Sequence, residues 1–155
     1  MEDWIRVRRM TLHLVDLPLI NRFRTAYGTT TTRRTVLVRL EDADGVVGWG
    51  EAPGADQPLY APDTAESSWY ALTKLLAPRV VGGEFAGPAD LAAAWAPLQG
   101  YRCATHAVEC AEEGDAVVLG AHPVVDGGEE VAMQIDETAH GGASRSRPRG
   151  GHASF

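Results

Sequence analysis

A run of alternating apolar and polar residues, Thr35 to Glu41, leads through the turn-forming Asp42-Ala43-Asp44-Gly45 into Val46 to Glu51, and this pairing constrains the chain more than any other stretch. Period-two alternation puts Val36, Val38 and Leu40 on one face of a strand. Asp and Gly between such runs provide turn chemistry. Upstream, Ile5 to Leu17 alternates as well: Ile5 and Val7 share a face, and Met10, Leu12 and Leu14 resume it after a one-residue slip at Arg8-Arg9. A strand with a bulge fits that slip, and the three runs together predict an antiparallel meander. His13 alternates with Leu12 and Leu14 and is expected to face solvent. Between the first two strands lies Ile20 to Arg34, polar, threonine-rich and holding Gly28. It is too long for a tight hairpin and reads as a candidate functional loop.

After the strands the period changes. Pro62-Asp63-Thr64-Ala65-Glu66 offers an acidic cap with Glu66 completing a capping-box variant, and Ala65, Trp69, Leu72 and Leu76 then recur at helical spacing. A second helix starts at Gly87-Pro88, buries Leu91, Trp95 and Leu98, and stops near Gly100. A third begins around Cys103 with Ala104, Ala107, Val108 and Ala111 as its apolar stripe. At Glu112-Glu113-Gly114-Asp115 carboxylates and a glycine stand where a helix end favours cations, so the helix should fail there. Beyond it every aromatic is lost except Phe155. Acidic residues run without Lys or Arg through Glu137, and a Gly, Ser and Arg-rich end follows. Such a segment cannot bury itself and predicts disorder. The domain division is therefore 1–111 folded and 112–155 an atypical tail, and the fold class is α+β: a three-stranded meander followed by helices.

Composition narrows the function classes. The net charge is −7 and Lys74 is the one lysine, which argues against neutralising a nucleic-acid backbone. No apolar run reaches the ~20 residues of a membrane span, and Met1-Glu2-Asp3-Trp4 lacks the basic and apolar regions of a secretory signal, so a cytoplasmic location is expected. Cys103 and Cys110 lie seven apart on a predicted helix, about 10 Å along its axis, too far to bridge, and read as buried reduced thiols. With His106, Glu109 and Glu113 they share a helical side that could ligate zinc, but one helix face without a second ligand strand is more often chance. Asp126, Glu129, Glu130, Asp136 and Glu137 lack the alternating spacing and central glycine of a calcium loop and read as a solvated acidic run. Neither a glycine-rich phosphate loop nor a nucleophile elbow is present.

The order of meander, long loop, Val47-Gly48-Trp49-Gly50-Glu51 and helices resembles the amino-terminal capping domain of the mandelate racemase and muconate-lactonising branch of the enolase superfamily. Pro18-Leu19-Ile20-Asn21-Arg22-Phe23-Arg24-Thr25-Ala26-Tyr27-Gly28-Thr29, Pro58-Leu59-Tyr60, and Gly100-Tyr101-Arg102 before Ala107-Val108-Glu109 look most like o-succinylbenzoate synthases that double as N-acylamino acid racemases. The resemblance covers roughly residues 5 to 111. It departs where the family's third helix usually carries a lysine, at Thr105 or His106 here, and where that helix continues through a Trp-Asp pair toward a barrel. A frameshift near codon 111 is the preferred explanation of the departure. The competing one keeps frame, since Leu119-Gly120-Ala121-His122-Pro123 and Gly127-Gly128 resemble the family's domain linker.

The resemblance implies an Mg²⁺-dependent enzyme in full-length form, in which a lysine removes the proton α to a carboxylate and the metal stabilises the enediolate. The two facing lysines of that chemistry have no counterpart here, and a barrel takes about 250 residues, so the expectation is a capping-domain fragment, inactive and binding no metal on its own. Two lid segments, Asn21 to Thr30 and Glu51 to Gln57, would close over the barrel mouth. Phe23, Arg24, Thr25, Tyr27, Glu51, Ala52 and Pro53 are the substrate-binding candidates by resemblance, with Arg24 suited to a carboxylate; without the family, Phe23 is a loop anchor and Arg24 a solvated charge. The implied partners are a small carboxylate in a full-length context and a second copy through the exposed barrel-facing surface. The other reading is a non-catalytic α+β module that uses that surface to bind a partner.

Overall fold

The computed structural model describes residues 4–112 and the backbone of Val131–Asp136. β1 (Ile5–Thr25), β2 (Gly28–Asp42) and β3 (Val47–Ala52) form the antiparallel meander in the order β3-β2-β1. The register between β1 and β2 shifts between Val7, opposite Asp42, and Arg9, opposite Glu41. That is the bulge expected at Arg8-Arg9, and it is what lets Val7 and then Met10 and Leu12 point to one buried face. Val36, Val38 and Leu40 cover the same face from β2. At the β2–β3 turn the Asp42 carboxylate accepts the backbone N–H groups of Asp44 and Val46 at 2.9 and 2.7 Å, and Gly45 takes the positive φ of 86° that the turn requires.

The helical layer begins with α1 (Ala65–Tyr70), continues through a π-helical stretch (Ala71–Leu76) and ends in α2 (Ala77–Val80). Pro78 accounts for the widening: it has no N–H to give, and its ring crowds the carbonyl four residues back. Thr64, not an acidic residue, caps α1, with Ser67 reciprocating: Ser67 N–H donates to Thr64 Oγ1 at 3.1 Å and Thr64 N–H to Ser67 Oγ at 2.8 Å. Glu66 stays outside that exchange. The short β4 (Glu84–Phe85) pairs with Ile5 and Arg6, and α3 (Pro88–Ala93) and α4 (Arg102–Glu112) complete the layer.

Leu72, Leu76, Val80, Leu91, Trp95 and Val108 meet Met10, Leu12, Val36 and Val38 in one core. Each such fully buried aliphatic contributes about 1.5–3 kcal/mol. α4 lies directly on β3, and the Gly48-Trp49-Gly50 stretch explains how: a Cβ at Gly48 would overlap the carbonyl oxygen of Ala111, and one at Gly50 that of Ala107. Trp49 between them turns to the opposite face and stacks on His13 with ring centroids 5.7 Å apart.

Two expectations are corrected. Ile20 to Arg34 is not a loop: β1 and β2 run on past the core as a two-stranded arm, with Thr25 opposite Gly28 across a two-residue turn at Ala26-Tyr27. Four residues, 19–22, are accommodated in an irregularity between Pro18 and Phe23. Threonine's β preference extends the arm, and the absence of a buried face removes the alternation that would announce it. Within the segment expected to be disordered, Val131–Asp136 forms β5 along the β1 edge that β2 leaves open, Met10 opposite Ile135 and Leu12 opposite Met133. Val131-Ala132-Met133-Gln134-Ile135 carries the period-two pattern of a strand. The rest of the tail expectation falls outside the described residues.

Candidate functional site

The projecting β1–β2 arm and the segment after β3 enclose an open groove of about 960 Å³. Phe23, Thr25 and Tyr27 line it from the arm, and Pro53, Leu59 and Tyr60 from the facing segment. Both sides expose unusual amounts of apolar surface. Phe23 and Tyr27 are 62% and 63% exposed, and Leu59 and Tyr60 are 53% and 91% exposed. Single exposed apolar residues need no explanation, but several converging on one concavity mark a binding surface.

The facing segment is held from behind by the folded layer. Gly54 sits so close to the start of α1 that a Cβ would overlap the backbone of Thr64 and Ala65, and Ala55 bridges to Thr64. The Cys103 thiol donates to the Pro53 carbonyl at 3.4 Å, and Asp63 Oδ2 accepts the Cys103 N–H at 3.0 Å. Asp63, which resembled an N-cap for α1, thus satisfies one of the orphan donors opening α4, forty positions away. The thiol of Cys103 is pushed above its ordinary range, first by burial and then by the Asp63 charge.

The arm is tied down at its root by charge. Arg34 donates from Nε and Nη2 to the two Asp16 carboxylate oxygens, each at 2.7 Å, and reaches Glu66 at 3.5 Å. This two-pronged hydrogen bond holds the Asp16 carboxyl below the usual carboxylate range and the Arg34 guanidinium above its own. Arg33 pairs with Glu51 at 3.4 Å, and Thr35 Oγ1 lies 2.9 Å from Glu51 and 3.1 Å from the Ala52 carbonyl.

The seven candidates therefore separate. Phe23, Thr25, Tyr27 and Pro53 come together at the groove. The Thr25 hydroxyl also builds the turn, accepting the Tyr27 N–H at 3.2 Å and donating to the Gly28 carbonyl at 3.4 Å. Arg24 projects from the arm without lining the groove, is exposed, and makes no ion pair among the described residues. Glu51 is committed to Arg33 and Thr35, and Ala52 is fully buried in the core. Sequence reasoning missed Arg33, Arg34, Leu59 and Tyr60 as site residues; the exposed Leu59-Tyr60 pair after a proline was the available signal.

The arrangement can bind and enclose; of its charged lining residues, Arg33 pairs with Glu51, Arg34 with Asp16 and Glu66, and Asp63 accepts the Cys103 N–H. Lys74 is exposed on the π-helical stretch, outside the groove lining. No three acidic, histidine or cysteine side chains converge on a metal-holding geometry among the described residues. No helix among them is long and apolar enough to cross a membrane.

Comparison with known proteins agrees with this geometry. An o-succinylbenzoate synthase from Geobacillus kaustophilus is 31% identical over 105 residues, 68% of this chain and 28% of that protein. An N-succinylamino acid racemase from Thermus thermophilus is 35% identical over 107 residues, 69% of this chain and 29% of its own length. The chain thus spans less than a third of the curated relatives it matches. Among solved structures, the L-Ala-D/L-Glu epimerase of Bacillus subtilis superposes with a TM-score of 0.62 at 31% identity, covering 69% of this chain and 30% of the epimerase. An enolase-superfamily member from Listeria innocua reaches a TM-score of 0.65 at 25% identity over 69% of this chain and 29% of its own. Residues 9–113 match the mandelate racemase / muconate lactonizing enzyme N-terminal domain, and the chain belongs to that family of the enolase superfamily.

Proposed function

We propose that this domain serves as the specificity lid of an enolase-superfamily enzyme of the o-succinylbenzoate synthase and N-acylamino acid racemase kind, acting in the cytoplasm on a small carboxylate, and that this chain alone is catalytically inactive. The observation that carries the reading is the groove between the β1–β2 arm and the segment after β3: two facing walls with exposed Phe23, Tyr27, Leu59 and Tyr60, built on a folded layer, that can bind a small molecule and exclude water. Phe23, Thr25, Tyr27 and Pro53 form its substrate side. Arg24, exposed on the arm, would draw a carboxylate toward the mouth. Glu51 and Ala52 contribute by holding the segment's root. In the proposed full enzyme a lysine elsewhere would remove the proton α to the carboxylate. Among the described residues no three acidic, histidine or cysteine side chains converge to hold the family's Mg²⁺.

Two assays test this. The purified chain with Mg²⁺ and the cyclohexadiene precursor of o-succinylbenzoate should give no turnover above a matched blank, and turnover would sink the claim of inactivity. Supplied with the barrel of the Thermus relative stripped of its own cap, the chain should restore activity, and Phe23→Ala or Arg24→Ala should lower kcat/KM. An unchanged kcat/KM in both variants would refute the lid assignment. A compact monomer that binds no barrel would favour instead a non-catalytic binding module, and concentration-dependent dimers would favour self-association through Ile20, Phe23, Tyr27 and Tyr60.

A further inference from the structure

We propose that Cys110 is a reactive thiol, activated by His106 on the next turn of α4, and a site of covalent modification by low-molecular-weight disulfides. The two residues are four apart on one helix and their side chains meet: Cys110 Sγ lies 3.5 Å from His106 Nε2 and 3.8 Å from Nδ1, within hydrogen-bonding reach for sulfur. Glu109 places a carboxylate 4.0 Å from the same imidazole. A nucleophile, a base beside it and an acid behind the base is the arrangement that makes a weak nucleophile attack. All three groups reach solvent: Cys110 is half-buried, and the His106 and Glu109 side chains are 65% and 43% exposed.

The other cysteine provides the contrast within the same helix. Cys103 donates its thiol hydrogen to the Pro53 carbonyl and sits beside the Asp63 carboxylate. Ionising it would break that bond and set two negative charges side by side, and burial and Asp63 push its thiol up accordingly. One thiol therefore has a proton acceptor at hand and the other a proton-holding acceptor. The reaction is disulfide exchange. Cys110 sulfur attacks one sulfur of the small disulfide, its proton passing to His106; a new S–S bond forms, the old one breaks, and the departing half leaves as a thiolate that is reprotonated from His106 or solvent. Cys110 is oxidised to a mixed disulfide and one equivalent of the reagent's thiol is released.

The probe is the aromatic disulfide dithiobis-nitrobenzoate, whose released thiolate is coloured, applied to the full chain and to Cys103→Ser and Cys110→Ser at neutral pH. The Cys103→Ser protein, whose only thiol is Cys110, should react about tenfold or more faster than Cys110→Ser, and adding His106→Asn to it should slow the reaction by roughly the same factor. Circular dichroism shows whether the exposed His106 substitution leaves the fold intact. The unsubstituted chain should meanwhile show one fast equivalent, with fragment masses placing the adduct on Cys110. Equal rates at the two cysteines, a faster Cys103, or a Cys110 rate indifferent to His106 would each overturn the proposal.

Discussion

Replacing Gly50 by alanine tests the packing on which the whole domain rests. The added Cβ would overlap the carbonyl oxygen of Ala107 on α4, a backbone atom, so no side-chain rotation relieves it. β3 cannot move aside either, because Val36 to Glu41 pair with it along its length. α4 must lift. Alanine restricts the unfolded chain more than glycine and returns about 0.5–1 kcal/mol to stability. Against this, overpacking costs about 1–3 kcal/mol. A lifted helix also loosens the buried contacts of Ala104, Ala107, Val108 and Ala111, at roughly 0.8 kcal/mol for each methylene equivalent returned to water. The net is a loss of about 2–4 kcal/mol out of the ~5–15 kcal/mol expected of a domain this size. That corresponds to a fall in Tm of roughly 10–20 °C. Thermal and urea unfolding followed by circular dichroism measure it. Gly45→Ala is the control: nothing lies near its Cβ, so only its positive φ is penalised, at about 1 kcal/mol. If Gly50→Ala melts within a couple of degrees of the unsubstituted chain, α4 does not lie on β3 as described.

Other outcomes follow from single groups. Ser68 is fully buried in α1 and its hydroxyl finds no partner among the described residues, so Ser68→Ala should raise stability by about 1 kcal/mol, removing an orphaned polar atom and improving helix propensity; a urea midpoint that falls would contradict this. Asp63→Ala removes the acceptor for Cys103 N–H and should cost about 1 kcal/mol, with Cys103 becoming more reactive toward thiol reagents; unchanged stability would mean that Asp63 does not cap α4. Asp16 is held below the usual carboxylate range by Arg34, so its stabilisation is present above the unfolded value of about 3.9 and is lost as pH falls through the lowered folded value. The Tm of Asp16→Asn should therefore decline less than that of the unsubstituted chain below about pH 4. Glu41, lowered by Arg39, titrates on the same side and keeps some acid sensitivity in the variant. Identical acid profiles would show that the Asp16–Arg34 pair contributes nothing.

What was legible in the sequence was what burial writes there. Met10, Leu12, Val36, Val38 and Leu40 alternate because one face of the sheet is covered, and the slip at Arg8-Arg9 showed because it interrupts that alternation. Ala104, Ala107, Val108 and Ala111 showed the buried side of α4 for the same reason. The arm was illegible as strand because from Leu19 to Arg33 no residue is fully buried, so nothing forces a period. Its polar, threonine-rich run looks like a loop and pairs like a ribbon. Asp63 was legible as a cap but not as the cap of which helix, since the choice between α1 and α4 depends on a contact spanning forty residues. Arg34 is one of thirteen arginines until the fold sets Asp16 and Glu66 around it, 18 and 32 positions away.

These same failures locate the division of labour within the domain. The parts that sequence periodicity reveals are the parts that hold it together, and Gly48 and Gly50 are conspicuous there because they set the distance between sheet and helix. The parts that periodicity misses, the arm and the segment after β3, carry exposed apolar side chains at a groove and owe their position to a few anchors at their roots: Arg34 with Asp16, Arg33 with Glu51, Gly54 against α1, and Pro53 on Cys103. A surface built that way can exchange Phe23, Tyr27, Leu59 or Tyr60 for other side chains without disturbing the core. The folding cost of such changes should be small, within about 0.5 kcal/mol each as for other surface substitutions. Combining Phe23→Ala with Tyr27→Ala should therefore leave Tm nearly unchanged while altering whatever the groove binds, whereas a large drop in Tm would mean that the arm is part of the core and that recognition and stability are not separable here.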